Sequence, residues 1–254
     1  MSVNAKELEA KVKEMYRDVA TNPHGEFHFE MGRAMAERLG YLPEDLDRIP
    51  SEAIESFAGV GYFFHLANLL PGETVVDLGS GSGMDTFVAS LKVGNEGEVI
   101  GIDMTDEQLA KAELLRRSRG FDNVSYRKGY IEDSGLDAGT ADCVISNGVI
   151  NLAPDKGRVF REAARLLNRR GRLAISDIVT DVQLPESVVC NADLWAACIG
   201  GAAQRNGYQS EIEKAGFQIA EVQENFEYRF ISDRALGATT RYGVKSVSIL
   251  AHRR

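Results

Sequence analysis

Three glycines at alternate positions follow a short apolar segment in VVDLGSGSGMD, residues 75–85. The apolar residues predict a buried strand that ends near Asp77, and a helix is predicted to begin beyond Gly83. Glycine permits positive φ angles, and the amide groups at the start of a helix favour a negatively charged group. We therefore expect Gly79, Gly81 and Gly83 to bind a ligand that carries a carboxylate or a phosphate.

An acidic residue follows this loop at the spacing that a ribose site requires. Asp103 ends the apolar segment EVIGID, twenty residues after Gly83. A carboxylate at the end of a second strand can accept hydrogen bonds from both ribose hydroxyls. A dinucleotide site would need a third glycine where this chain has Met84. The loop and the acid together favour an adenosine-containing cofactor over two unrelated tight turns of a sheet.

The elements that must hold these residues alternate between strand and helix patterns. Beyond Pro71, helical patterns separate the apolar segments TVVDL, EVIGID, NVSYR, DCVISN and RLAISDIV. Their consecutive apolar residues indicate strands buried on both faces, so we predict an α/β fold with a Rossmann-like, doubly wound sheet that is mostly parallel. The segments GFQIAEVQ and VKSVSILAH predict an antiparallel pair, and thus an antiparallel edge strand.

The first 70 residues show helical spacing and no strand pattern. Their apolar residues predict an amphipathic helix over residues 4–20 and a second helix from Phe29 to Gly40. We therefore divide the chain into an N-terminal helical cap on the substrate side, residues 1–70, and a cofactor-binding domain, residues 71–254.

Composition excludes several classes of protein. The 254 residues are 44% hydrophobic and carry a formal charge of -9, which is typical of a folded, acidic domain. The excess of carboxylates argues against nucleic acid and anionic membranes as partners.

The charged first residues lack the apolar run of a signal peptide, and Cys143, Cys190 and Cys198 are too scattered for a disulfide framework. We expect a cytoplasmic protein that is a monomer or a homodimer.

Five segments resemble the class I S-adenosylmethionine-dependent methyltransferases: DLGSGSG, GIDMT, GYIEDSGL, SNGVINLAPDK and LLNRRGRLAISDIV. The resemblance implies that S-adenosylmethionine is the cofactor, that S-adenosylhomocysteine is the product, and that a small-molecule acceptor is methylated. It also implies that the loop amides receive the methionine part, that Asp103 binds the ribose, and that Met104 packs on the adenine. The cofactor-binding residues that it implies are Asp77, Gly79, Ser80, Gly81, Gly83, Asp85, Asp103, Met104, Ile131, Glu132, Asn147 and Tyr16.

Within that superfamily the chain resembles the arsenite methyltransferases in VIGIDMT, DEQLAKA, VISNGVINLAPDK and LWAACIGGA. That family holds trivalent arsenic with three thiolates, at positions that correspond here to Val60, Gly148 and Cys198. One thiolate cannot chelate As(III) against exchange with cellular thiols, so we expect another acceptor, methylated at carbon, oxygen, nitrogen or sulfur. Two alternatives stay open: methylation of arsenite, a related metalloid or a thiol by means of Cys198, and a non-catalytic S-adenosylmethionine-binding protein.

Methyl transfer from a sulfonium depends mainly on positioning the nucleophile and excluding water. Asn147 is the first catalytic candidate, because loops at the carboxyl ends of strands carry the chemistry of open α/β sheets. His28 and His24 are candidate bases or substrate ligands, and Cys198 could share a cavity with Trp195. Purely structural roles for these histidines and for Cys198 stay open. No metal site is expected, because the glycine between the histidines disfavours the helix that their spacing would require.

Overall fold

A central eight-stranded sheet organises the chain in the computed structural model, which describes residues 5–189 and 200–254. The strands are β1 Thr74–Leu78, β2 Glu98–Asp103, β3 Val124–Lys128, β4 Ala141–Asn147, β5 Leu167–Thr180, β6 Ala203–Gln204, β7 Phe217–Glu224 and β8 Lys245–Arg253. They lie in the order β3-β2-β1-β4-β5-β8-β7, and β6 pairs with β5. The strand order reverses between β1 and β4, which is where open α/β sheets bind their ligands.

The pairing of the strands confirms the predicted sheet. The strands β1 to β6 pair in parallel, whereas β8 pairs antiparallel with both β5 and β7. The predicted antiparallel pair therefore lies at one edge, with β8 one position inside it. The parallel strands bring Asp77, one residue before the end of β1, and Asn147, at the end of β4, to the same edge of the sheet.

Five helices precede the sheet, and the described residues 5–70 contain no strand, as predicted. They are α1 Ala5–Thr21, α2 Arg33–Leu39, α3 Pro43–Leu46, α4 Ser51–Glu55 and α5 Phe64–Ala67. The predicted start of the second helix at Phe29 is wrong, because α2 begins after Gly32, which has a φ of 86°. Its predicted end is correct, since Gly40 adopts the left-handed conformation there.

The glycine loop leads directly into the first of the described helices that follow β1. They are α6 Met84–Val93, α7 Asp106–Arg119, α8 Lys156–Leu166, α9 Glu186–Val189, α10 Arg205–Lys214 and α11 Asp233–Tyr242. None of the described helices is long and apolar enough to cross a membrane.

The two faces of the sheet are covered by separate apolar clusters. Val75 and Val76 are neighbours in β1, yet they belong to different clusters because side chains alternate along a strand. Tyr41 and Phe63 of the cap belong to the same cluster as Val75, so the cap and the sheet share a core. Cys143 is buried in β4, as expected, and burial raises the pKa of its thiol to about 12.

Candidate functional site

The glycine loop between β1 and α6 has a backbone path that side chains would obstruct. Gly79, Gly81 and Gly83 have φ angles of 80°, 53° and 95°, in the region that favours glycine. A Cβ atom on Gly79 would lie 2.6 Å from the side chain of Val149, and one on Gly83 would lie 2.1 Å from the hydroxyl of Tyr126. The loop therefore fits between the turn after β4 and the side chain of a β3 residue.

The amide groups of this loop, which the resemblance implies receive the methionine part of the ligand, make hydrogen bonds within the protein. The amides of Gly79 and Ser80 donate to the carbonyl oxygen of Ile102, and the amide of Gly83 donates to the carbonyl oxygen of Ser80. The amide of Gly81 donates to Oδ2 of Asp103 at 2.9 Å. In the described conformation these four amides are engaged by the protein itself, and their role in binding the methionine part stays a prediction.

Asp103 lies at the end of β2 beside the loop, as predicted. Its Oδ1 accepts a hydrogen bond from the amide of Thr105 at 2.8 Å. It lines a cavity of about 180 Å³ together with Met104, Ile131 and Glu132. These predicted residues come from the ends of two neighbouring strands, and the structure brings them together.

The helix α1 covers this cavity of about 180 Å³. Leu8, Val12 and Tyr16 occur at helical spacing and line it, so one face of α1 forms a wall. The side-chain Nε2 of Gln108 donates to the main-chain oxygen of Tyr16 at 2.8 Å. The phenol of Tyr130 donates to Glu9 at 2.8 Å, which joins α1 to the loop after β3.

A second cavity of about 60 Å³ adjoins the first, since Tyr16, Gly79 and Gly81 line both. The other predicted residues that line it are Asp77, Ser80, Gly83, Asp85 and Asn147. Every residue that the sequence predicted to bind the cofactor therefore lines one of these two adjoining cavities. Their binding roles stay predictions.

Two buried acids line the smaller cavity. Asp77 and Asp85 are 2% and 6% exposed. Burial raises the pKa of Asp77 to about 8, and the nearby charge of Asp85 acts in the same direction. Burial also raises the pKa of Asp85 to about 6, against hydrogen bonds from Tyr41 and Asn147. A cationic ligand group would stabilise the ionised form of both acids.

The side-chain amide of Asn147 connects the end of β4 to the cap. Its Oδ1 accepts from the amide of Val60 at 2.8 Å, and its Nδ2 lies 3.0 Å from the main-chain oxygen of Gly61 and 2.9 Å from Asp85. These contacts favour a positioning role for Asn147. A direct role of Asn147 in catalysis stays a prediction. Sequence reasoning missed Tyr41, which also bonds to Asp85 and has no local motif that could have revealed it.

The other catalytic candidates are not among the residues that line the two cavities, or they fall outside the described residues. His24 is exposed, and His28 is half-buried with its ring edge-on to Phe29 at a centroid distance of 4.7 Å. Neither histidine lines either cavity. Cys198 and Trp195 lie outside the described residues. Within the described ranges, no group of three or more histidine, cysteine or acidic residues could hold a metal ion.

Curated relatives of this chain include arsenite methyltransferases. It is 39% identical to the arsenite methyltransferase of Halobacterium salinarum over 199 residues, which cover 78% of this chain and 51% of that protein. It is 38% identical to the Homo sapiens arsenite methyltransferase over 188 residues, which cover 70% of this chain and 49% of that protein. The chain therefore spans about half the length of these relatives.

Solved structures of methyltransferases share the fold. An arsenic(III) S-adenosylmethionine methyltransferase from Chlamydomonas reinhardtii superposes with a TM-score of 0.64 at 30% identity, covering 88% of this chain and 74% of that chain. Geranyl diphosphate C-methyltransferase from Streptomyces coelicolor has a TM-score of 0.68 over 96% of this chain and 98% of that chain, but at 18% identity it shows the fold alone. A family model described as a methyltransferase domain matches residues 69–216. Because this match spans more than half of the chain, the chain belongs to the methyltransferase domain family.

Proposed function

We propose that the chain binds S-adenosylmethionine and transfers its methyl group to a small-molecule acceptor. The observation that carries the proposal is the convergence of the predicted cofactor residues on two adjoining cavities at the carboxyl ends of β1, β2 and β4. When bound, S-adenosylmethionine supplies an electrophilic methyl group on a positively charged sulfur.

The residues present fit this cofactor in charge and in shape. Asp77 and Asp85 line the smaller cavity as buried acids, which suits the α-ammonium group of the methionine end. Asp103 provides the carboxylate for ribose hydroxyls, and the apolar side chains of Met104 and Ile131 line the larger cavity, which suits a flat ring. The helix α1 covers both groups of residues, so it would exclude water from the bound cofactor.

We further propose that the acceptor is a small molecule other than a metalloid. Val60 and Gly148 stand where the resemblance implies two of the arsenic-binding thiolates, and Val60 is 1% exposed within an apolar cluster. The formal charge of -9 argues against nucleic acid as the substrate. The amide of Val60 donates to Asn147 at the end of β4, so the cap segment around Val60 would form part of the wall where the acceptor binds.

The arsenite alternative is favoured by one specific observation, which is the identity of 36–45% to proteins named arsenite methyltransferases. It would require Cys198 to bind arsenic with fewer thiolates than the family uses. Full activity of Cys198→Ser, or no stoichiometric As(III) binding, would exclude it. We keep a non-catalytic S-adenosylmethionine-binding protein as a further alternative.

Calorimetry with S-adenosylmethionine and S-adenosylhomocysteine tests the cofactor assignment. We expect Asp103→Ala and Gly81→Val to weaken binding strongly, whereas Asp137→Ala, at an exposed position, should bind like the wild type. Unchanged affinity in both site variants would contradict the assignment. Release of S-adenosylhomocysteine across a panel of acceptors then tests catalysis, and binding without turnover on any acceptor would favour the non-catalytic alternative.

A further inference from the structure

Tyr41 connects the helical cap to an acid of the smaller cavity. It follows the end of α2 and is 2% exposed, with its ring edge-on to Phe57 and Tyr62 at centroid distances of 5.2 and 4.9 Å. Its hydroxyl donates to Oδ1 of Asp85 at 2.5 Å and accepts from Nδ2 of Asn147 at 3.1 Å. One cap residue thus contacts a carboxylate on α6 and an amide at the end of β4.

Both carboxylate oxygens of Asp85 are held in this way. Oδ1 accepts from Tyr41, and Oδ2 accepts from Nδ2 of Asn147 at 2.9 Å. Asn147 is itself fixed, because its Oδ1 accepts from the amides of Val60 and Gly61 at 2.8 and 3.3 Å. The carboxylate of Asp85 cannot rotate without breaking two hydrogen bonds, so its orientation in the cavity wall depends on the cap.

The hydroxyl of Tyr41 also affects the charge of this site. The titratable groups that act on or around Asp85 are Asp77 on β1 and the phenols of Tyr41 and Tyr62. Burial raises the pKa of Asp77 to about 8 and that of Asp85 to about 6, and the charge of Asp85 adds to the shift at Asp77. Burial and the charge of Asp85 hold the pKa of Tyr41 well above its ordinary value, so the phenol remains a donor.

We propose that Tyr41 is a positioning residue of the cofactor site: its hydroxyl holds Asp85 oriented and ionised, and thereby sets the affinity for the α-ammonium group at the methionine end of the cofactor. This inference rests on the proposed function, because it requires S-adenosylmethionine or its product to bind at these cavities. Tyr41 acts through Asp85 and is not itself a catalytic residue. Donors to a carboxylate favour its ionised form, so removing one should shift its titration upward.

The variant Tyr41→Phe tests the proposal, because it removes the hydroxyl and keeps the ring in its aromatic cluster. Loss of one donor is expected to raise the pKa of Asp85 by roughly one unit. The dissociation constant for S-adenosylhomocysteine should then match the wild type at pH 9, where Asp85 is ionised in both proteins. At pH 6 we expect it to be about fivefold weaker in the variant. Titration of the ligand itself affects both proteins equally, so it cancels in the ratio of the two dissociation constants at each pH.

Tyr62→Phe is the matched control, because it removes a phenol from the same aromatic cluster while the bond from Tyr41 to Asp85 remains. It should show the pH dependence of the wild type. A loss of affinity in Tyr41→Phe that is equal at every pH, or an equal change in both variants, would indicate packing alone and overturn the inference. Failure of the wild type to bind S-adenosylhomocysteine would instead overturn the proposed function on which it rests.

Discussion

A side-chain methyl carbon of Val60 lies 3.0 Å from the position that a Cβ atom on Gly148 would occupy. The two residues are distant in the sequence, but Asn147 accepts a hydrogen bond from the amide of Val60 and so brings the cap segment against the end of β4. Both stand at positions where the resemblance to arsenite methyltransferases implies thiolates. An apolar side chain therefore fills the place where two of the three sulfur ligands would meet.

We expect the wild-type protein to bind no stoichiometric As(III), because neither Val60 nor Gly148 supplies a thiolate. The double variant Val60→Cys/Gly148→Cys should gain one bound As(III) per chain, since its thiols would be adjacent to each other. Native mass spectrometry after removal of free arsenite measures the number of As(III) atoms bound per chain in both proteins.

The control for this experiment is Val60→Ala/Gly148→Ala, which has no added thiols. It carries the same side-chain strain at Gly148, whose φ is 71°, at a cost of about 1–2 kcal/mol. One As(III) bound per wild-type chain, and lost in Cys198→Ser, would contradict our prediction and favour the arsenite alternative.

The buried carboxyl of Asp77 is expected to make the free protein less stable as the pH rises. Burial raises its pKa from 3.8 to about 8, so the folded state binds more protons than the unfolded state between these values. Stability due to this group is therefore fully present below about pH 4 and is lost as the pH rises through about 8. Asp77→Asn removes the titration and can still accept the hydrogen bond from Thr86.

We accordingly expect Asp77→Asn to raise the free energy of unfolding more at pH 8.5 than at pH 6, as measured by urea denaturation. Asp137→Asn makes the same substitution at an exposed position and is the matched control. An Asp77→Asn variant with the pH slope of the wild type would contradict the assigned titration.

Tyr16 is expected to contribute to cofactor affinity through the covering face of α1. Its side chain lines both cavities and lies beside Phe29 at a ring centroid distance of 6.5 Å. Tyr16→Ala removes a large apolar contact, so we expect about tenfold weaker binding of S-adenosylhomocysteine, or about 1.4 kcal/mol, by calorimetry. Arg17→Ala breaks an exposed ion pair with Glu107 and should have little effect. Equal affinities in the two variants would argue against α1 as a cover.

Gly101 in β2 is expected to be sensitive to added volume. A Cβ atom there would lie 2.6 Å from the ring of Tyr126 and 2.8 Å from Oγ of Ser80, so Gly101→Ala should destabilise the protein by roughly 1–3 kcal/mol. Gly237 in α11 has no atom within 4 Å of such a Cβ, and Gly237→Ala should stabilise by about 0.5–1 kcal/mol. Urea denaturation measures both changes. A neutral Gly101→Ala would show that the loop and β3 can move apart.

Much of the fold and part of the site could be predicted from local patterns. Consecutive apolar residues before the glycine loop indicate a strand buried on both faces. Asp77 lies one residue before the end of that strand, and Asn147 ends another such strand. Parallel strands place their carboxyl ends at one edge, so local pattern is enough to bring these residues near each other. The start of α2 was predicted wrongly because the helical pattern at Phe29 continued through Gly32, where the backbone leaves the helical region.

The sequence alone was sufficient for the α/β fold, the glycine loop, the position of Asp103 and the absence of thiols at Val60 and Gly148, because each is a property of residue type and short spacing. Tertiary packing was needed to reveal the bond between Tyr41 and Asp85 and the engagement of Asn147 by the cap. Those contacts join segments that are far apart in the chain. They depend on the docking of the cap against the sheet, which no local pattern encodes.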